Sequence, residues 1–200
     1  MDHLTIFPRK LIAPSGLISE KFLSLGISSF LDACQYVHGL PYGYNSARED
    51  IMILFKENMG TCTTKHAVIA TLAEELNIPV YKNIGIYAMT EDIVTGTNLI
   101  LEKFQLPYIP MLHCFLEYGD CRVDLTEGNQ NGKNTSIEQF LYTERVIANI
   151  SDKEEYQLFR RVLTQDLLKR DQLKGIKTAT ILHAREEGLI VLKANVGNEP

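Results

Sequence analysis

Residues 60–80 read Gly-Thr-Cys-Thr-Thr-Lys-His-Ala-Val-Ile-Ala-Thr-Leu-Ala-Glu-Glu-Leu-Asn-Ile-Pro-Val, and the fold prediction starts from this stretch. Its apolar residues recur at the spacing of one helix face, and they are Val68, Ile69, Leu72, Ala73 and Leu76. Pro79 cannot continue a helix, so we expect the helix to end near Asn77. Cys62 falls in the first turn, on the same apolar face, where the N–H groups and the dipole of a helix start favour a thiolate. The pattern therefore predicts a helix that carries a nucleophilic thiol at its start, pointing into the protein.

A second stretch, residues 111–126, reads Met-Leu-His-Cys-Phe-Leu-Glu-Tyr-Gly-Asp-Cys-Arg-Val-Asp-Leu-Thr and has the pattern of a β-hairpin. If the turn is residues 118–119, His113 lies directly opposite Asp124. If the turn is residues 119–120, Asp124 faces Phe115 and His113 is its diagonal neighbour. Either register puts His113 and Asp124 on one face, because side chains alternate along a strand with a period of two.

The hairpin supplies the two groups that a thiol nucleophile requires. A carboxylate beside an imidazole fixes its tautomer and stabilises the imidazolium, so His113 with Asp124 would serve as a base and its orienting group. The sequence therefore predicts a catalytic triad of Cys62, His113 and Asp124, in that chain order. Taken singly, each has a plainer interpretation, since a lone cysteine on an apolar helix face is most often a small core residue. The interpretation as a catalytic triad depends on all three residues occurring together.

These motifs resemble the transglutaminase-like superfamily, which has the papain-like cysteine protease fold. The resemblance rests on Gly-x-Cys opening a helix, the Ile78-Pro79 pair after it, and then His-x-Phe and Asp-x-Thr on a hairpin, and it covers residues 28–126. It implies an α+β core in which the Cys62 helix packs on a small antiparallel sheet, with extra N- and C-terminal helices. This chain departs from the family pattern at Phe115, where tryptophan is usual, and at Leu125, where proline is common.

The resemblance implies acyl transfer through a thioester on Cys62, acting on an amide or peptide bond. It favours hydrolysis over transfer to an amine, so we expect a peptidase or amidase whose substrate is a peptide, an amide or a small acyl compound. Two alternatives stay open, a catalytically silent binding module with this fold and an arylamine acetyltransferase-like enzyme. The chemistry requires no cofactor and no metal.

Composition narrows the classes of partner. The net charge of −5 argues against a nucleic-acid surface, and no apolar run is long enough to predict a membrane span. Without an evident signal peptide, the four cysteines suggest reduced thiols and a cytoplasmic protein. We expect one domain over residues 1–200, with its core at about 28–126 and a helical C-terminal extension at about 136–200. Nothing in the sequence indicates an oligomeric state.

Two further hypotheses concern the surroundings of Cys62. Cys34 with His38, and Cys62 with His66, stand four residues apart on predicted helices, a spacing that raises a zinc site as a minor alternative. His66 is otherwise expected to pack near the active site, although it competes with His113 as a base.

The oxyanion hole needs a side-chain donor besides the Cys62 N–H, and the candidates are Gln35, Tyr42, Tyr44 and Asn45. The remaining cysteines, Cys34, Cys114 and Cys121, are expected to be packing residues.

Local patterns predict further elements. Ser46 is expected to cap a helix over residues 47–55, a short helix is expected over 136–142, and a strand is expected over 189–193. Residues 90–110 form a long insertion ahead of the His113 strand. Because long insertions are often lids or binding loops, we expect it to narrow access to Cys62; the alternative is a helix packed on the sheet away from the thiol.

Overall fold

A computed structural model describes residues 3–197 and shows an α+β protein. Within those residues there are seven α-helices, α1 (Leu17–Ser24), α2 (Phe30–Gly39), α3 (Ile53–Glu57), α4 (Cys62–Glu75), α5 (Thr97–Phe104), α6 (Asp152–Gln165) and α7 (Thr178–Asn195). The strands β1 (Val80–Met89), β2 (Ile109–Tyr118), β3 (Cys121–Val123) and β4 (Tyr142–Arg145) form an antiparallel sheet in the order β3-β2-β1-β4. Helix α4 packs on this sheet, which confirms the predicted α+β class and its central helix.

The described chain divides into two compact units. Unit 1 comprises residues 3–84, 114–129 and 144–150, and unit 2 comprises residues 85–113, 130–143 and 151–197. Both Cys62 and Asp124 belong to unit 1, whereas His113 is the last residue of a unit 2 segment. None of the helices in residues 3–197 is both long enough and apolar enough to cross a membrane.

Unit 1 is built around α4. Residues 63–70 of this helix are all buried, and α1, α2 and α3 pack against it. Val68, Ile69 and Leu72 join Leu116 and Val123 of the β2–β3 hairpin in one apolar core. A helix buried on every side is held in place by its packing, so the position of Cys62 at its start is well defined.

Charged side chains also hold α4 in place. The Glu75 carboxylate, near the end of the helix, accepts hydrogen bonds from the N–H groups of Ile18 and Ser19, at 3.0 and 2.6 Å. These N–H groups lie in the first turn of α1 and have no acceptor within that helix. At the other end, the buried Lys82 ammonium on β1 donates to the carbonyls of Thr63 and Ala148, each at 3.1 Å. Both ends of α4 are therefore joined to neighbouring elements.

Unit 2 contains the long insertion and the C-terminal helices. The insertion carries α5, which packs against α7, and Lys103 and Glu187 form an ion pair of 2.6 Å between these helices. On β1, Gly85 has no side chain, and a Cβ there would lie 2.2 Å from the Phe140 ring. The glycine therefore lets this ring lie directly on the strand. That residues 90–110 narrow access to Cys62 stays a prediction.

Three local predictions are wrong. The predicted helix over residues 47–55 is reduced to α3, because Ser46 instead donates from its N–H and hydroxyl to the Glu57 carboxylate. The predicted helix over 136–142 is absent; the Leu141 N–H donates to the Ile86 carbonyl, and β4 follows along the sheet. The predicted strand over 189–193 is part of α7.

Candidate active site

Cys62 is the first residue of α4, as the sequence predicts. Thr61 before it has extended backbone angles (φ −80°, ψ 177°), and the helix runs to Glu75, with Asn77 in the left-handed region just beyond. Cys62 is partly exposed, whereas a core cysteine is not. The first-turn N–H groups of a helix lack acceptors inside it, so the end of α4 near Cys62 favours negative charge.

The hairpin forms in the second of the two predicted registers. Residues Leu116, Glu117 and Tyr118 of β2 pair with Val123, Arg122 and Cys121 of β3, so the turn is residues 119–120. Gly119 has a φ of 57°, a conformation that two-residue hairpin turns require and that glycine adopts most readily. The strand β3 ends at Val123, one residue before Asp124, so the observed pairing stops short of the predicted Asp124–Phe115 pair. His113 lies on β2 and is 3 % exposed, and strand alternation puts its side chain on the same face as Phe115.

The Asp124 carboxylate is fixed by the residue two positions further on. Its Oδ1 accepts hydrogen bonds from the N–H of Thr126, at 2.8 Å, and from the Thr126 hydroxyl, at 2.7 Å. This turn gives the Asp-x-Thr spacing a physical reason, because an aspartate can hold its own backbone two residues on. Thr126 itself is fully buried. The carboxylate is thus oriented before any substrate binds.

His66 joins α4 to the segment that carries Asp124. Its Nε2 accepts a hydrogen bond of 2.8 Å from the Leu125 N–H, and its Nδ1 lies 2.6 Å from the Cys62 carbonyl oxygen. An Nε2 that accepts a hydrogen bond must be unprotonated, so we assign the proton to Nδ1, which donates to Cys62. In this tautomer the ring is neutral, and the 3.4 Å approach of Nε2 to Asp124 is not an ion pair.

The hypothesis that His66 competes as a base loses support from this geometry, since both ring nitrogens bond to backbone groups and the ring has no exposed surface. Its position instead ties Asp124 to the first turns of the Cys62 helix. Unit 1 therefore holds Asp124 beside the helix that begins at Cys62. The catalytic triad of Cys62, His113 and Asp124 stays a prediction.

A buried lysine lies beside this arrangement. Lys65 has no exposed surface, and its ammonium donates to the carbonyls of His38 and Leu40 and to the Asn129 side-chain oxygen. Burial lowers the Lys65 pKa to about 8, while the Asp124 charge opposes that shift. Sequence reasoning missed Lys65, because lysines are rarely buried completely and no local pattern marks this one.

Tyr44 is a residue whose pKa depends on the charge of Cys62. Burial and the Cys62 charge raise the Tyr44 pKa to about 12, while a side-chain hydrogen bond with Tyr42 opposes the shift. Tyr44 as a whole is 37 % exposed. The rings of Tyr42 and Tyr44 meet edge to face, with centroids 6.1 Å apart. A phenol hydroxyl thus stands in the electrostatic field of Cys62.

The other cysteines divide into two groups. Cys34 is fully buried in α2 and Cys114 is buried on β2, where its sulfur lies 3.6 Å from the Thr63 hydroxyl; both are packing residues, as predicted. Cys121 is exposed beside the hairpin turn, so the prediction that it packs inside is wrong. It is the first residue of the short strand β3, and Arg122 beside it is also exposed.

Metal-ligating side chains do not gather around Cys62. Among the described residues, no group of three or more histidine, cysteine, aspartate or glutamate side chains is placed to hold a metal ion. Of the four ligands considered for zinc, His38 has its Nδ1 at 3.2 Å from the Leu125 carbonyl oxygen, and His66 is held as described above.

Comparison with models of protein families, with curated proteins and with solved structures found no match to this chain.

Proposed function

We propose that this chain is a cysteine-dependent acyl-transfer enzyme with a transglutaminase-like, papain-like core, and that it acts on an amide or peptide bond. The observation that carries the proposal is the arrangement in unit 1. The partly exposed Cys62 begins a helix whose next turns are buried, and the Asp124 carboxylate, held by Thr126, lies 3.4 Å from His66 of the same helix. A structural cysteine requires neither the helix start nor an oriented carboxylate.

In the proposed reaction, His113 takes the Cys62 proton and the thiolate attacks the substrate carbonyl carbon. The tetrahedral intermediate collapses when its C–N bond breaks and His113 returns the proton to the departing amine, which leaves a thioester on Cys62. His113 then removes a proton from water, and the attacking oxygen adds to the thioester carbon. The C–S bond breaks to form the carboxylic acid, and His113 returns the proton to the Cys62 sulfur. Asp124 holds the imidazole in its reactive tautomer and stabilises the imidazolium.

We favour water over an amine as the acceptor of the acyl group, on the resemblance of residues 28–126 to the transglutaminase-like superfamily. Acceptor choice depends on which nucleophile reaches the thioester, and hydrolysis and transfer use the same three residues. The two outcomes are distinguished by the product, an acid with water and an amide with an added amine.

The proposal is tested with p-nitrophenyl acetate, an activated ester that reports acylation by releasing p-nitrophenolate. We expect a burst of p-nitrophenolate and an acetyl group on Cys62, located by peptide mass spectrometry. Adding glycinamide during turnover then measures how much acyl group goes to an amine instead of water.

Two cysteine variants make the result specific. Cys62→Ala should abolish the burst, whereas Cys121→Ala, which removes the exposed thiol of the hairpin, should leave it unchanged. A burst that persists in Cys62→Ala, or a wild-type protein that acquires no acetyl group at Cys62, contradicts the proposal. The second result would favour the catalytically silent binding module.

A further inference from the structure

We infer that the Tyr44 hydroxyl is the side-chain donor of the oxyanion hole, and that it hydrogen-bonds the negative oxygen formed when Cys62 attacks a carbonyl. This inference rests on the proposed acyl-transfer function and names a residue for one of its steps. Oxyanion stabilisation requires a donor that is fixed in place before the charge appears.

The backbone before Tyr44 is bonded to the residues that lead into α4. The Gly43 N–H donates to the Gly60 carbonyl at 3.3 Å, and the Gly60 N–H donates to the Pro41 carbonyl at 3.2 Å. These bonds make a parallel bridge two residues ahead of Cys62. Tyr44 follows this bridge immediately, so its loop is held beside the start of the helix.

The residue after Tyr44 fixes the other side of the loop. The Asn45 side-chain oxygen accepts from the Thr64 hydroxyl at 2.8 Å, and its amide donates to the Met59 carbonyl at 3.0 Å and to the Glu57 carboxylate at 2.9 Å. Both amide hydrogens of Asn45 are thereby used, which removes it as an oxyanion donor. The same bonds hold Tyr44 between two fixed neighbours.

The other two candidates also fit less well. Gln35 lies exposed in the middle of α2. Tyr42 is buried, and its side chain hydrogen-bonds that of Tyr44.

Protonation agrees with the donor role. The Cys62 charge and burial hold the Tyr44 pKa near 12, so the hydroxyl keeps its proton over the whole range in which a cysteine forms a thiolate. A neutral phenol close to developing negative charge donates a hydrogen bond and needs no counter-ion. The Cys62 N–H at the helix start supplies the other donor.

The test compares two reactions of the same thiol in Tyr44→Phe. Acylation by p-nitrophenyl acetate passes through an oxyanion, whereas alkylation by iodoacetamide does not. We expect the acylation rate to fall about 10²-fold while the alkylation rate stays within about twofold of wild type. Tyr81→Phe is the matched control, because Tyr81 is 41 % exposed on β1 and stacks on Arg145. Thermal unfolding of each variant checks that the fold is kept.

A second variant keeps the inference testable if Tyr44→Phe unfolds. Tyr42→Phe removes the hydrogen bond to Tyr44 but leaves the Tyr44 hydroxyl, so acylation should fall by a smaller factor and alkylation should not change. Equal losses in both reactions for Tyr44→Phe would mean that the hydroxyl acts on the thiolate, and no loss would mean that it acts on neither; both results overturn the inference. A wild-type protein that is not acylated at Cys62 overturns the proposed function itself.

Discussion

Replacing His66 should destabilise unit 1 in two separable steps. In His66→Ala the buried Leu125 N–H loses its acceptor, which costs about 1–3 kcal/mol. Truncating a side chain with no exposed surface adds about 2 kcal/mol for lost packing. The Cys62 carbonyl is less affected, because the helix N–H of residue 66 points at the same oxygen. We therefore expect the free energy of unfolding to fall by about 3–5 kcal/mol.

His66→Gln separates the hydrogen bond from the packing. A glutamine amide oxygen reaches about the place of the imidazole Nε2, so it can accept from Leu125 and recover most of that bond. We expect this variant to lose only about 1–2 kcal/mol. His183→Ala, at an exposed position of α7, is the control and should change stability by less than about 0.5 kcal/mol.

Unfolding of unit 1 can be followed by alkylation of Cys34 in increasing urea, read by peptide mass spectrometry. Cys34 lies in the core of unit 1 with no exposed surface, so it is labelled only when that core opens. If His66→Ala costs less than about 1 kcal/mol, or if alanine and glutamine cost the same, the assigned link between α4 and the Asp124 segment is wrong.

Three further variants test the surroundings of the site. Asp124→Asn keeps the oxygen that accepts from Thr126, so melting should change little while acylation falls about 10²–10⁴-fold; an unchanged burst rate would remove Asp124 from the mechanism. The Lys65 pKa is about 8 in the folded protein, below its value in the unfolded chain. Burying the charged ammonium therefore destabilises the folded protein fully below pH 8, and this destabilisation is relieved as pH rises towards about 10.4. The free energy of unfolding should rise by up to about 3 kcal/mol over that window in wild type but not in Lys65→Met, and equal slopes in urea titrations would refute this. In Gly60→Ala the new Cβ would lie 2.7 Å from the Thr64 hydroxyl, so the free energy of unfolding should fall by about 1–3 kcal/mol and Cys62 alkylation should slow. The control is Gly39→Ala, which has open space around the new Cβ and should change neither measurement appreciably.

Elements fixed by local chemistry were predicted well. The start of α4 follows from a helical apolar pattern that begins at Cys62, and the β2–β3 turn follows from Gly119 and Asp120 between two strand patterns. The exact register was left open because both turns satisfy the same alternation. It is decided by the paired backbone, which the sequence pattern does not encode.

Elements decided by distant contacts were missed. Ser46 has the properties of a helix cap, but it bonds Glu57 eleven residues further on, and helix α3 begins only at Ile53. The apolar run 189–193 suits a strand or a helix equally, and its packing within α7 decides for the helix. Neither result can be read from a short window of sequence.

The residues of the candidate site also divide into those that local motifs indicate and those whose roles depend on distant contacts. Cys62 and Asp124 were proposed as site residues because they belong to recognisable local motifs. The role of His66 depends on a hydrogen bond to Leu125, 59 positions away, and that of Lys65 on an acceptor at Asn129, 64 positions away. Such long-range pairs carry no local signal, although the four-residue spacing of Cys62 and His66 did mark both as facing the same side of α4.

The most direct test of the account is which of the four cysteines reacts first with a limiting amount of iodoacetamide at about pH 6. If exposure alone decided the order, Cys121 would react first, since Cys62 is only partly exposed and the other two cysteines are buried. If the helix start and an imidazole stabilise the Cys62 thiolate, Cys62 should react first instead, because ordinary thiols are almost fully protonated at that pH. Labelling of Cys62 ahead of Cys121, with the preference lost at alkaline pH as both thiols ionise, is the expected result. Labelling of Cys121 first at both pH values would contradict the proposal that Cys62 is a catalytic nucleophile.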